Sequence, residues 1–335
     1  MRKHFLQLLI AACLLSQTVL ATDKPAQPNI VFILFDDLGY GEPPLYRTNS
    51  PFKMPTLDRL AREGMRFTDA HTPSAVCTPT RYGVITGRYP MRIGQFGVLG
   101  TYSSPFEGKS GTDKYGDWIL QGDTVTGQIL DALERNHLSG NTLVIVTSDN
   151  GAEHRPYPPL RESKRSIYEG GHRVPFLARW PGKIKPGSTC LDVVCLADLM
   201  ATAAEISGAA IPANAGEDSV SILPDLLGTA KAPVREATVH QSMAGDLAIR
   251  QGPWKLIFKT TGVRELYNLT DDLSETRNVI TNQADISERL AKLMQSYITN
   301  GRSTPGAPQK NKHEVKLDGS SRKKKTAGSQ TAEND

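Results

Sequence analysis

Two places in the sequence end an apolar run on a pair of oxygen-bearing side chains. NIVFILFDD closes on Asp36 and Asp37, and far downstream NTLVIVTSDN closes on Asp149 and Asn150. Four oxygen donors without histidine or cysteine among them form the hard ligand set that Ca²⁺ or Mg²⁺ prefers and zinc does not. An Asp-Asp pair is common in turns for reasons unrelated to metals, so the repetition of the pattern is what points to a shared cation. Between the two runs stands SAVCTPTRYG, Ser74 to Gly83, with Cys77 just ahead of a Thr-Pro-Thr-Arg stretch. Soft sulfur beside a hard cation is a chemical mismatch. It disappears if the residue is converted into an oxygen-bearing group.

Such residues need elements to position them. Residues 28–36 and 141–150 read as fully buried strands of a parallel sheet. In open α/β sheets ligands lie beyond the carboxyl ends of such strands, so Asp36, Asp37, Asp149 and Asn150 are expected to converge. Helical patterns lie between them. MPTLDRLAREGMRF has Thr56 as a candidate cap, apolar positions at Leu57, Leu60 and Ala61, and a stop at Gly64. Residues 123–138 place Val125, Ile129, Leu130 and Leu133 at helical spacing ahead of Gly140. Residues 175–182 read as a strand and turn, and 198–209 as a helix stopped by Gly208. From about residue 237 the pattern changes to short antiparallel strands with a last helix near 284–298, a small α+β unit against a larger α/β one.

The length of 335 residues suits that division. Residues 1–22 have Arg2 and Lys3, an apolar run from Phe5 to Leu15 and a small-residue exit near Ala21, the layout of a secretory signal peptide. Export to a periplasm or beyond is the expectation, and no other segment approaches the roughly 20 apolar residues of a membrane span. The formal charge is +4, but residues 301–335 carry eight Lys/Arg against four Asp/Glu and the leader adds two cations, so residues 23–300 sum to about −2. That balance argues against a nucleic-acid partner. Residues 301–335 lack apolar periodicity and read as a disordered basic tail, with Arg322 to Lys325 a solvated charge run. Cys13 lies in the leader. Cys190 and Cys195 read as buried structural thiols, or as a pair, which leaves Cys77 over.

At this point the motifs resemble a known family. CTPTR, Cys77 to Arg81, fits the C-x-P-x-R sequence by which type I sulfatases are recognised, and RYGVITGRYP continues that signature. NIVFILFDDLGYGE resembles the family's opening strand, TSDNGAE its second metal strand, PLRESKRSIYEGGHRVPF the segment with a sulfate-binding lysine, and AIRQGPWKLI and LYNLTDDLSETRNV its C-terminal part. The resemblance covers about residues 28–280 and implies an alkaline-phosphatase-like α/β fold, a mostly parallel sheet flanked by helices. It implies a catalytic domain over 24–236, internally shortened near 101–115, and an antiparallel-sheet subdomain over 237–300. It further implies that a formylglycine-generating enzyme converts Cys77 to formylglycine. One Ca²⁺ would sit among Asp36, Asp37, Asp149, Asn150 and residue 77. The hydrated aldehyde attacks sulfur in line, the ester oxygen leaves, and the second hydroxyl expels sulfate as the aldehyde re-forms. By the same resemblance Arg81 holds the nucleophile and the metal carboxylates, and Lys164 holds a sulfate oxygen. Thr80 stands where the family usually has Ser or Ala.

The sequence departs from the family where a longer insert, carrying a lysine and two histidines that serve the sulfate and the leaving group, is missing. Lys109 lacks the neighbours of the family lysine and is not promoted. His154 could reach the pocket mouth, and His71 and His172 read as structural. Loss of a general acid costs roughly 10²–10⁴ in rate against an enzymatic acceleration of at least about 10⁶. The expected function is hydrolysis of sulfate esters, aryl or carbohydrate, with sulfated polysaccharide as a candidate partner. A phosphoester hydrolase of the same superfamily and a non-catalytic binder of sulfated glycans are the alternatives.

Overall fold

A computed structural model describes residues 27–93 and 108–317. The expected leader, residues 101–107 of the shortened stretch and the distal tail lie outside the described residues. The first strand, β1 (Asn29–Phe35), pairs in parallel with β4 (Thr142–Ser148), and Asn29 to Phe35 lie opposite Thr142 to Ser148 in unbroken register. With β2 (Met65–Phe67), β5 (Phe176–Arg179) and β6 (Ser188–Cys190) they form a five-stranded sheet in the order β1-β4-β5-β2-β6. The class is α/β, as expected, but the pairing is mixed: β5 runs antiparallel to both β4 and β2. β4 is buried at all seven positions. β1, by contrast, is half-buried at most positions, because it has one strand neighbour at the sheet's edge among the described residues.

Alternation along β4 feeds two cores. Val144 and Val146 join Phe35, Leu57, Leu60, Ile119 and Leu130 on one face, under the Pro55–Glu63 and Lys114–Arg135 helices. Leu143 and Ile145 join Phe67, Val84, Phe176 and Leu226 on the other, beside the Cys77–Thr86 helix. The Pro55 helix is not capped by Thr56. Asp123 of the long helix caps it, its carboxylate accepting from the Leu57 amide at 3.0 Å and the Thr56 amide at 3.2 Å. That long helix begins well ahead of the expected residue 123, because Asp113 accepts the Gly116 amide at 2.9 Å and starts it. The Leu199–Ser207 helix ends on Gly208 at φ +68°, a left-handed stop that glycine adopts without strain.

A second sheet, β8 (Thr238–Gln241), β9 (Leu247–Gln251), β10 (Trp254–Phe258) and β11 (Arg264–Asn268), is an antiparallel meander. Leu290, Met294 and Tyr297 of the Ala284–Asn300 helix cover one face with Tyr89 and Met91, and Ile167 and Tyr168 pack on the other. A two-stranded parallel pair, β3 (Ala70–His71) with β7 (Val194–Cys195), belongs to neither sheet. Residues 301–317, expected to be disordered, instead turn back along this body. Asn311 Nδ2 donates to the Ile298 carbonyl at 2.7 Å, Arg92 Nη1 donates to Asn311 Oδ1 at 3.0 Å, and Val315 and Leu317 pack on the C-terminal core. Sparse apolar residues found a ready-made groove, a gain invisible to a periodicity count.

Candidate active site

Because β1 and β4 pair in register, the residues that follow them leave the sheet side by side. The Asp149 amide donates to Phe35 O at 3.1 Å, and the Asp37 amide donates to Asp149 Oδ1 at 3.1 Å. Asp37 adopts φ +66°, which turns its side chain back toward Asn150, whose Nδ2 donates to Asp37 Oδ1 at 2.6 Å. Such left-handed backbone at a non-glycine residue persists only where surroundings hold it. The Asn-Gly step is needed too, since a Cβ on Gly151 would lie 1.8 Å from Gly170 O.

Cys77 is the first residue of its helix, where unpaired amides and the helix dipole favour negative charge. Arg81 lies one turn on, on the same face. Its Nε and Nη2 donate to Asp149 Oδ2 at 3.1 and 2.9 Å, and Nη2 is 3.4 Å from Asp36 Oδ1. The Cys77 thiol and carboxylate oxygens of Asp36 and Asp149 all lie within 4.8 Å of one another. Lys164 is buried with Nζ 2.7 Å from Asp37 Oδ2 and 3.0 Å from Glu153 Oε2. Burial works against its charge, but the hydrogen bond to Asp37 holds its pKa above the usual lysine range. Thus all seven residues singled out from the sequence, Asp36, Asp37, Cys77, Arg81, Asp149, Asn150 and Lys164, meet at one place.

The residues present fit a hard divalent cation. Asn150 Oδ1 is buried without a hydrogen-bond partner, which costs about 1–3 kcal/mol, and buried Asp36 Oδ1 has only the long 3.4 Å ion pair to Arg81 Nη2 and no hydrogen bond. Burial, and then the neighbouring Asp36 charge, pushes Asp149 up to about 7. A cation among these oxygens would relieve both penalties. Asp36, Asp37, Asp149 and Asn150 would hold it, and oxygen donors match it better than a thiol does.

Several residues escaped the sequence reading. Glu153 ties Lys164 and Arg165 together and accepts from His154 Nε2 at 2.9 Å. His154 itself points to solvent, its side chain 83% exposed. Glu42 is buried beneath the Asp37 turn, accepting from the Gly39 amide and Tyr115 hydroxyl at 2.7 Å each, and burial pushes it up to about 7. The acidic residue of SDNGAE was a legible signal for Glu153. Glu42 had none. Lys109 is exposed on the loop ahead of the Lys114 helix. The three cysteines among the described residues are free, so Cys190 and Cys195 do not pair.

His71 and His172 are structural, and His240 joins them. Their rings cluster between the sheets with ring nitrogens within 4.8 Å, His172 stacked on His240 at 4.1 Å between centroids. The nitrogens are nonetheless committed: His240 to Thr72 O at 3.0 Å and Thr238 Oγ1 at 2.7 Å, His172 Nε2 to Ile167 O at 3.1 Å, and His71 Nδ1 to His172 Nδ1 at 3.1 Å.

Beside Lys164 opens a cavity of about 360 Å³ lined by Ser163, Arg165, Ser166, Ser242, Asp246 and Lys259 among others. The segments beside it hold the loop ahead of Cys77: the Arg165 amide donates to Ala75 O at 2.7 Å, and the Ala75 amide donates to Gln241 O at 2.9 Å.

Comparison with known proteins agrees with this geometry. The family model described as Sulfatase matches residues 28–105 and 99–209, and the model for the C-terminal part of N-sulphoglucosamine sulphohydrolase matches 161–300. The chain belongs to the sulfatase family. An N-acetylgalactosamine-6-O-sulfatase of Bacteroides thetaiotaomicron is 33% identical over 224 residues, which are 58% of this sulfatase-family chain and 43% of that protein. Human arylsulfatase A is 26% identical over 393 positions, with 72% of this chain and 76% of that protein covered. That alignment exceeds the 335 residues of this chain, so the human protein carries segments that are absent here. A solved structure from work on glycosaminoglycan metabolism in B. thetaiotaomicron shares the fold, with a TM-score of 0.73, 22% identity, and 81% of this chain and 99% of that one covered.

Proposed function

We propose that this chain is an exported hydrolase of sulfate esters that works through formylglycine at position 77 and a Ca²⁺ held by Asp36, Asp37, Asp149 and Asn150. The observation that carries the reading is the meeting of the Cys77 side chain with the Asp36 and Asp149 carboxylates within 4.8 Å, at the head of a helix whose next turn brings Arg81. The cation supplies charge neutralisation at the sulfate oxygens. Arg81 orients the nucleophilic side chain against Asp149, and Lys164 presents a fixed positive charge at the rim of the cavity, where it binds the sulfate and compensates its charge. The cavity takes the organic part of the ester, and its serine hydroxyls and the Asp246–Lys259 pair, 3.5 Å apart, suit a sulfated carbohydrate. The catalytic domain of 24–236 and the subdomain of 237–300 thereby both line the site. The described residues also bear on the leaving group. His71, His172 and His240 are locked in their cluster, and His137, His154 and His313 are exposed, so proton donation to the departing oxygen is weak. Aryl sulfates, whose phenolate leaves with little assistance, should therefore turn over about 10²–10⁴-fold faster than matched alkyl sulfates. Peptide mass spectrometry across Cys77, in protein co-produced with the formylglycine-generating enzyme, tests the nucleophile, and paired aryl and alkyl sulfate assays test the chemistry. An unconverted thiol together with no aryl sulfatase activity would sink the proposal.

A further inference from the structure

Outside the catalytic centre, one buried carboxylate among the described residues lacks a counter-charge. Asp225, on the short Leu223–Leu226 helix, is 4% exposed, no backbone or basic donor reaches its oxygens, and its one side-chain hydrogen-bond neighbour is another acid, Asp192. Other buried carboxylates of this chain are paired: Asp198 with Arg235, Asp218 with Arg92, Asp69 with Arg250 and Glu169 with Lys255. Asp225 instead faces Asp192 and the Cys190 thiol at the end of β6, and one ligand atom from each of the three lies within 4.8 Å of the others. A buried charge must be paired or coordinate a metal, and here the nearest groups are another acid and a thiol.

We propose that Cys190, Asp192 and Asp225 form a second cation site, separate from the catalytic one and of zinc type, that pins the end of β6 to the Leu223–Leu226 helix. The donor set decides the class. One thiolate and two carboxylates with a fourth position left for water match the borderline-soft, four-coordinate preference of Zn²⁺. The catalytic centre, with its carboxylate and amide oxygens, suits a harder ion. The protonation balance is consistent with this. Burial and then Asp192 push Asp225 up to about 7, and burial raises the Cys190 thiol to about 11, so near neutral pH and without a cation the thiol keeps its proton and Asp225 is only partly ionised; a metal would displace the remaining protons. An ion can reach the site, because Asp192 is half-buried and Leu191 beside it is 74% exposed. The frame is already rigid: the Thr68 amide donates to Cys190 O at 3.1 Å, and the amides of Leu226 and Leu227 donate to Ile222 O and Leu223 O at 3.0 Å each.

The test uses the full chain carrying Cys77→Ser, which removes the thiol from the catalytic cluster, with Ca²⁺ in excess to occupy hard sites. Calorimetric titration with Zn²⁺ should show one equivalent bound, and Co²⁺ in its place should give thiolate-to-cobalt charge-transfer absorption. Cys190→Ser should abolish the absorption, and Asp225→Asn should weaken zinc binding at least about tenfold, with circular dichroism confirming that both variants fold. Absence of zinc uptake would overturn the proposal. Uptake that survives both substitutions would overturn it as well, since the ion would then reside elsewhere, the histidine cluster included.

Discussion

Replacing Lys164 by methionine isolates a buried electrostatic commitment in the candidate site. Its ammonium lies 2.7 Å from Asp37 Oδ2 and 3.0 Å from Glu153 Oε2, with the lysine side chain 2% exposed and that of Asp37 fully buried. At an effective dielectric of about 20, the attraction across 2.7 Å is about 6 kcal/mol, partly offset by the desolvation of both groups. Removing the lysine alone leaves the Asp37 carboxylate buried without its ammonium, while the hydrogen bond from Asn150 stays in place. Such a break costs about 3–5 kcal/mol. Guanidinium unfolding in the presence of a chelator should show that loss as a lower midpoint at unchanged slope. The double variant Lys164→Met/Asp37→Asn should recover at least half of it, because the orphaned charge is gone. Adding Ca²⁺ should shrink the loss in the single variant, since a cation bound by Asp37 takes over the role of the ammonium. A single variant within about 1 kcal/mol of the parent, or a double variant no better than the single, would refute the reasoning.

Asp123→Ala should destabilise the protein by about 1–2 kcal/mol through loss of the cap on the Pro55 helix, whereas Thr56→Ala should stay within about 0.5 kcal/mol; thermal or chemical unfolding of the two variants separates tertiary capping from local capping. Burial, aided by neighbouring ring and lysine charges, holds His172 and His240 well below the usual histidine pKa, so both stay neutral in the fold while the unfolded chain takes up protons below about pH 6.5. Stability should therefore fall as the pH drops through that point, by up to about 1.4 kcal/mol per pH unit for each histidine, and His240→Gln should flatten the slope by up to that amount relative to the parent. Chelation should lower both the unfolding midpoint and aryl sulfatase activity, and Ca²⁺ should restore both. Equal midpoints with and without chelator would count against a cation among Asp36, Asp37, Asp149 and Asn150.

The candidate site was legible because its signals are local. An apolar run ending on Asp-Asp, another ending on Asp-Asn, and a Cys-x-x-x-Arg spacing each specify a strand end or a helix start, and strand ends in α/β sheets are where ligands collect. Glu153 was within reach of the same logic, three residues past Asn150. Glu42, His240 and the cap from Asp123 were not. Besides any local bond, each reaches a partner far along the chain, Tyr115 for Glu42, Thr72 for His240 and the Leu57 amide for Asp123, and its residue type is as common on a solvated surface as in a core. The mixed direction of the sheet was likewise hidden, since a buried β5 reads the same whichever way it runs. The C-terminal segment misled for a related reason: Val315 and Leu317 are too few to organise themselves, yet they add to a core that already exists.

The sequence alone determined the chemistry at hand: which side chains stand at strand ends and at the helix start, and hence that hard oxygen donors and one convertible thiol could meet. Only the tertiary structure decided that they do, through the in-register pairing of β1 with β4, and that Asp225 is left without a counter-charge. The physical reason is that donor type is a property of each residue, whereas proximity, burial and the absence of a counter-charge are properties of pairs brought together by packing.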